Sequence, residues 1–258
     1  MQVVILCGGL GTRLREETEF RPKPMVNIGH RPILWHIMKT YAQYGFKDFV
    51  LALGYKGDMI KDYFYHYELS SAAVSVKLGH PLELTIHECH DEVGWNVTMV
   101  DTGEKALKGA RLKRVEKYIE GDTFMVTYGD CIADVHLKAL LEFHRNHGKL
   151  ATVTGINSVS RFGELKAKGD RVECFTEKPV VSSGLINGGF FVFNKKIFRY
   201  LSDHDDCDLE IDSMEKVVED GQLMVYRHEG FWACMDTARE MDCLNELWRG
   251  NKAKWKIW

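Results

Sequence analysis

Long hydrophobic runs are missing from this sequence of 258 residues. No apolar stretch approaches the roughly 18 residues that cross a bilayer, which excludes a helical membrane protein. An excess of either charge is missing too: 34 Lys and Arg stand against 37 Asp and Glu, a formal net charge of −3. Such a balance gives no overall field for holding nucleic acid or an anionic membrane surface. Any phosphate chemistry must then come from a local cluster of cations. Proline is scarce at five residues and no low-complexity tract occurs, so a disordered or linker-rich chain is not expected. The seven cysteines are odd in number, scattered, and form no C-x-x-C pair. That argues against a disulfide framework and for reduced thiols in a cytoplasm. Met1 to Leu6 reads straight into a strand, without the charged flank and cleavage site of a signal peptide.

What is present is 45% apolar residues, arranged in short runs that alternate with helical spacing. Val3 to Leu6, Phe49 to Leu53, Thr123 to Thr127 and Ala151 to Thr154 read as buried strands. Ile33, Leu34, Ile37, Met38 and Tyr41 recur at helical spacing, with Gly45 as terminator, and Ile60 to Tyr67 and Leu137 to His144 repeat the pattern. Val74 to Leu78 and Leu84 to His87 predict half-buried strands. Further strands are expected near Val172 to Phe175 and Phe190 to Phe193, and helices near Asp208 to Glu219 and Ala238 to Leu247. The alternation predicts an α/β fold, Rossmann-like, with a mainly parallel mixed sheet flanked by helices. We expect one domain over residues 1–258, with a C-terminal elaboration. In such sheets ligands collect beyond the carboxyl ends of the strands.

Gly8-Gly9-Leu10-Gly11-Thr12-Arg13 follows the first strand directly. Glycines there let the backbone approach an anion, and Arg13 adds a planar fork for phosphate oxygens. A dinucleotide fingerprint would need Gly or Ala where Leu14 stands, and a Gly-Lys-Ser/Thr phosphate loop occurs nowhere in the chain. Arg21-Pro22-Lys23-Pro24-Met25 predicts an extended, stiff segment presenting Lys23 as a phosphate clamp, a solvated surface lysine being the alternative. Asp130 ends a buried strand after Tyr128-Gly129. Asp236 either joins Asp130 or merely caps the last helix. Two carboxylates in one phosphate site call for a divalent cation, and oxygen donors with phosphate suit Mg²⁺. Asp134 is assigned to a helix start. Glu177 and Asn187 offer hydrogen bonds to a polyhydroxyl ligand and Lys178 a charge for its phosphate, though Glu-Lys-Pro also suits a strand end. His87 and His90 point to opposite faces of a strand, which argues against zinc. His144 and His147 are expected to be solvated, and Trp255 and Trp258 to cover a neighbouring surface.

Gly-Gly-x-Gly-Thr-Arg, Arg-Pro-Lys-Pro-Met, Tyr-Gly-Asp, Glu-Lys-Pro and Asn-Gly-Gly-Phe occur in this order up to residue 190. Together they resemble the sugar-1-phosphate nucleotidyltransferases, over essentially the whole chain. Residues 33–38, 95–103, 109–115 and 231–237 narrow the resemblance to the branch that joins CTP to glucose 1-phosphate. The resemblance implies the nucleotide-diphospho-sugar transferase fold, with a nucleotide-binding half at about 1–150 and a sugar-phosphate-binding half at about 151–258. It also implies that Leu6, Gly8, Gly9, Leu10, Gly11, Thr12, Arg13, Thr102, Arg111 and Gly129 hold the nucleotide. Lys23, Gly163, Glu177, Lys178, Asn187 and Gly188 would hold the sugar phosphate, Asp130 and Asp236 would hold Mg²⁺, and Arg13, Lys23 and Asp130 would be catalytic. A homo-oligomer is implied, supplying CDP-glucose for dideoxyhexoses of bacterial surface polysaccharides. His30, Arg31, Cys131 and Glu164 depart from the family pattern, and Glu164 bears on which hexose is accepted. The competing expectations are the same reaction with another nucleotide or hexose, and a non-catalytic sugar-nucleotide sensor.

Overall fold

A computed structural model describes the chain except for residues 88–89, 158–163, 169–170 and 177–183. Its central strands are β1 (Gln2–Cys7), β2 (Asp48–Leu53), β3 (Asn96–Asp101), β4 (Thr123–Tyr128), β5 (Ala151–Asn157), β6 (Leu185–Asn194) and β7 (Leu223–His228). They form one sheet in the order β7-β5-β6-β4-β1-β2-β3. β6 runs antiparallel to both its neighbours, and every other pairing is parallel. The expected mainly parallel mixed sheet is therefore what the chain adopts, and strands from both halves share it.

A strand covered on both faces needs apolar residues at successive positions. In β1, Val3, Ile5 and Cys7 enter one core while Val4 and Leu6 enter the other. The first core takes α1 (Ile33–Gln43), α2 (Gly57–Tyr65) and, later in the chain, α4 (Leu137–His147) and α5 (Ala238–Arg249). The second core is closed by α3 (Lys108–Arg114) and by residues 209–217. Helix α1 starts after extended Pro32 and ends near Gly45, whose φ of +88° suits glycine.

Three expectations are corrected here. Val74–Lys77 and Glu83–Ile86 do pair, but as a separate hairpin whose apolar side chains are largely exposed rather than half-buried. Trp255 does not cover a neighbouring surface; it is fully buried, stacked on Phe231 and against His36, which burial holds neutral with its pKa pulled down to about 4. His144 is buried rather than solvated, and His147 is half-buried: both rings meet the Thr152 hydroxyl, at 2.8 and 2.7 Å, and burial lowers both pKa values.

Two three-residue strands matter most for the site. Cys131–Ala133, just after β4, pairs antiparallel with Trp232–Cys234, just before α5. This pairing carries the start of the last helix to the carboxyl end of the central strands.

Candidate active site

A cavity of about 930 Å³ opens beyond the ends of β1 and β4, lined among others by Gly8, Lys23, Gly129, Asp130, Asn187 and Asp236. Lys23 is its electrostatic centre. The segment around it is not uniformly extended as expected: Pro22 is, but Lys23–Met25 makes one tight turn, with Met25 N–H bonded to the Pro22 carbonyl at 2.8 Å. Pro24 fits inside that turn because N–H groups of a first turn have no partner there anyway. The turn buries the lysine stem, leaving the residue 9% exposed, and aims the ammonium at two carboxylates. Lys23 Nζ donates to Asp130 Oδ2 at 2.7 Å and to Asp236 Oδ1. Arg13 Nη1, at the open rim, donates to Asp236 Oδ2 at 2.8 Å.

Burial works against the Lys23 charge, but the Asp130 carboxylate and the bonds to both acids override it and hold the ammonium above the usual lysine range. Burial likewise works against the Asp236 charge. The Lys23 bond and the Lys23 and Arg13 charges win, and its carboxyl lies below the usual carboxylate range. The repulsion that led us to expect a divalent cation is thus relieved here by Lys23 and Arg13. The two carboxylates, both facing Lys23 Nζ, are hard oxygen donors of the kind Mg²⁺ takes. Asp236 does not cap α5. Thr237 does, accepting from Glu240 N–H at 3.3 Å while Glu240 Oε2 accepts from the Thr237 N–H at 2.9 Å. Asp134 begins no helix either: its Oδ1 lies 3.1 Å from His228 Nε2, and His136 caps α4.

The glycine-rich turn contributes Gly8, Gly9 and Arg13 to the cavity wall, with Leu6 beneath them. Gly11 has φ +64° and starts the turn Thr12–Leu14. Leu10, Gly11 and Thr12 do not line the cavity; Leu10 and Thr12 are exposed. Thr102 and Arg111, assigned to the nucleotide, are buried and satisfied by the protein itself. Thr102 Oγ1 donates to the Leu53 carbonyl at 2.5 Å. Arg111 donates to the carbonyls of Leu53, Gly103, Gly8 and Glu104 and to Thr102 Oγ1, all within 3.0 Å. It ties the ends of β1, β2 and β3 together, although it reaches the cavity wall. A β-carbon at Gly8 would overlap its guanidinium, so any side chain there would push Arg111 off these carbonyls.

On the opposite wall Asn187 Nδ2 donates to Tyr128 Oη at 3.0 Å, and the Gly188 carbonyl accepts from Trp232 Nε1 at 2.8 Å. Gly188 itself does not line the cavity. Gly163, Glu177 and Lys178 lie outside the described residues. Tyr128 Oη also donates to Glu210, which Lys108 pairs at 2.6 Å. Burial and the Glu210 charge raise the Tyr128 pKa. Sequence reasoning missed Lys108 and Glu210; no spacing or motif marks either. His87 bonds Ser75 Oγ at 2.8 Å and His90 lies 3.0 Å from Glu68; the strand stops at Ile86, so the expected alternation over 87–90 has no strand to act on among the described residues. His30 meets Trp248, and Arg31 lies over the rings of Trp35 and Tyr67.

The sequence profile of the family described as nucleotidyl transferase matches residues 2–239. Glucose-1-phosphate cytidylyltransferase of Salmonella typhimurium is 47% identical over the full length of both chains. The Bacillus subtilis protein named "Probable glucose-1-phosphate cytidylyltransferase" is 42% identical, again over both full lengths. Among solved structures, HddC from Yersinia pseudotuberculosis matches with a TM-score of 0.70 at 26% identity, covering 96% of this chain and 99% of that one.

Proposed function

The chain belongs to the nucleotidyl transferase family, and from that membership we propose that it transfers the cytidylyl group of CTP to α-D-glucose 1-phosphate, giving CDP-glucose and pyrophosphate. The single observation that carries this reading is the Lys23 ammonium fixed between Asp130 and Asp236 beside a glycine-rich turn. The substrate classes follow from relatives 47% and 42% identical over their whole length.

In the proposed reaction a phosphate oxygen of the sugar phosphate attacks the α-phosphorus of CTP in line, and pyrophosphate leaves. A phosphomonoester has a second pKa near 6, so the nucleophile is largely dianionic at neutral pH and needs no general base. What the protein supplies is alignment of two anions that repel, together with fixed positive charge for the transition state. Lys23 and Arg13 are those charges. Gly8 and Gly9 bring backbone close to the nucleotide phosphates, and Asn187 faces the sugar. Arg111 and Thr102 act one step back, by holding the strand ends that form the nucleotide side. Asp130 and Asp236 would hold Mg²⁺, which when bound offsets phosphate charge.

We further propose that the chain works as a homo-oligomer in a reducing cytoplasm and supplies a precursor of bacterial surface polysaccharides. The exposed Leu78, Leu82, Leu84 and Ile86 of the hairpin favour self-association. No described helix is long and apolar enough to cross a membrane. The test of the reaction is a panel of four nucleoside triphosphates against several hexose 1-phosphates, following pyrophosphate. CTP with glucose 1-phosphate should give the highest kcat/KM. Another preferred pair would correct the substrates, and binding without turnover with every pair would make the chain a sensor.

A further inference from the structure

The cavity contains two side chains that the transfer does not use, Cys131 and Cys234. We propose that they form a modification site: a small disulfide oxidises them to an intramolecular disulfide that disables the cavity. The two residues are direct partners across the short antiparallel pair Cys131–Ala133 and Trp232–Cys234. Met235 N–H bonds the Asp130 carbonyl at 2.9 Å, and Asp134 N–H bonds the Phe231 carbonyl at 3.1 Å. Hydrogen-bonded and non-bonded positions alternate in such a ladder, so Cys131 and Cys234 occupy a non-bonded position. Cα atoms approach to about 4.5 Å there and side chains lie nearest. That spacing falls within the roughly 4.4–6.8 Å that disulfides accept. The two sulfurs already lie within 4.8 Å of each other and of an Asp130 oxygen. Cys131 is buried and Cys234 is half-buried on the cavity wall, so a reagent entering the cavity meets Cys234 first.

The exchange balances without any other reactant. The Cys234 sulfur attacks RS–SR, a Cys234–S–SR bond forms, and one RSH leaves with the Cys234 proton. The Cys131 sulfur then attacks the Cys234 sulfur, the bond to SR breaks, and a second RSH leaves with the Cys131 proton. Two protein thiols lose two electrons, and one small disulfide becomes two thiols. The consequence for the site is local. In the reduced protein the Cys131 thiol donates to Asp130 Oδ1 at 3.2 Å, on the side of the carboxylate away from Lys23. A disulfide has no S–H to donate. It also fastens the residue after Asp130 to the strand end that leads into Asp236, so the sulfur bond then sets the separation of the two carboxylates that Lys23 bridges.

The test treats the full chain with excess oxidised glutathione and follows intact mass, a non-reducing digest and pyrophosphate release. The expected result is loss of two hydrogen masses, a joined peptide containing Cys131 and Cys234, and a fall in activity of about tenfold, the scale of a lost hydrogen bond to a charged group. Dithiothreitol should reverse all three. Cys131→Ser and Cys234→Ser should escape cross-linking, whereas Cys243→Ser, at an exposed site outside the cavity wall, should stay sensitive. CTP with Mg²⁺ should slow the cross-link by filling the cavity. The proposal is overturned if no joined peptide forms, or if it forms and turnover is unchanged. The fall in activity rests on the cytidylyl-transfer reading, but the cross-link is scored by mass. A reduced protein inactive with every substrate pair would sink that reading without touching the disulfide.

Discussion

Replacing Lys23 by Met keeps a stem of similar length and removes one ammonium, so it isolates the charge on which the site depends. In the native chain that ammonium meets both Asp130 and Asp236 while almost shielded from water. A fixed donor aimed at charge that develops in the transition state is worth on the order of 10²–10³ in kcat, or about 3–4 kcal/mol. Ground-state binding should suffer less, because Arg13 and the glycine-rich turn remain. Steady-state kinetics should therefore show kcat falling far more than KM rises. The reverse pattern would make Lys23 a binding residue only.

The same variant makes a second, independent demand on stability. Lys23 titrates above its ordinary range when folded, so its contribution is complete below that range and is lost as pH rises through the elevated value. Asp236 titrates below its ordinary range when folded. Its contribution is present above the normal carboxylate pKa and is lost as pH falls through the depressed value. Lys23→Met removes the first effect and most of the second, and leaves two carboxylates to repel each other. The variant should melt well below the native chain near neutrality, by about 2 kcal/mol, with the gap closing as the solution is acidified. A gap that does not change with pH would refute the coupling of lysine to carboxylates.

Asp130→Asn and Asp236→Asn should each raise the Mg²⁺ concentration for half-maximal turnover. Thr237→Ala should cost about 1 kcal/mol of stability as a lost cap with no change in metal response; the opposite pattern at Asp236 would return it to capping. Arg111→Met strips donors from four carbonyls and a hydroxyl, so urea denaturation should show a loss of about 3 kcal/mol or more, with a raised KM for CTP. If Arg111 serves the nucleotide alone, stability will be unaffected. Trp255→Ala should cost about 3–5 kcal/mol in denaturation without altering the oligomeric state, because the ring packs within its own chain; dissociation at unchanged stability would put it back at an interface.

The parts of this molecule legible in its sequence are those in which neighbours along the chain decide the outcome. The run from Val3 to Leu6 had to be covered on both faces, and Gly45 had to end a helix. The glycines after β1 and the acid after β4 had to lie at strand ends. Where the deciding partner is remote, local pattern is silent. Trp255 looks like a surface anchor until Phe231 and His36 close over it, and nothing beside Arg111 in the sequence foretells the four carbonyls that converge on it. The hairpin at Val74–Lys77 and Glu83–Ile86 has strand-forming residues, but nothing local reveals that it stands apart from the main sheet with its apolar side chains exposed. The Lys23 cluster is the extreme case, because Lys23 and Asp236 are 213 positions apart in sequence. Their meeting depends on strands of three residues each, too short to leave a period-2 signature. That small ladder is also what sets Cys131 opposite Cys234. One backbone pairing therefore governs both the separation of the carboxylates and the reach of the thiols, so a substitution that breaks it, such as Ala233→Pro, should loosen the charge cluster and abolish the cross-link together.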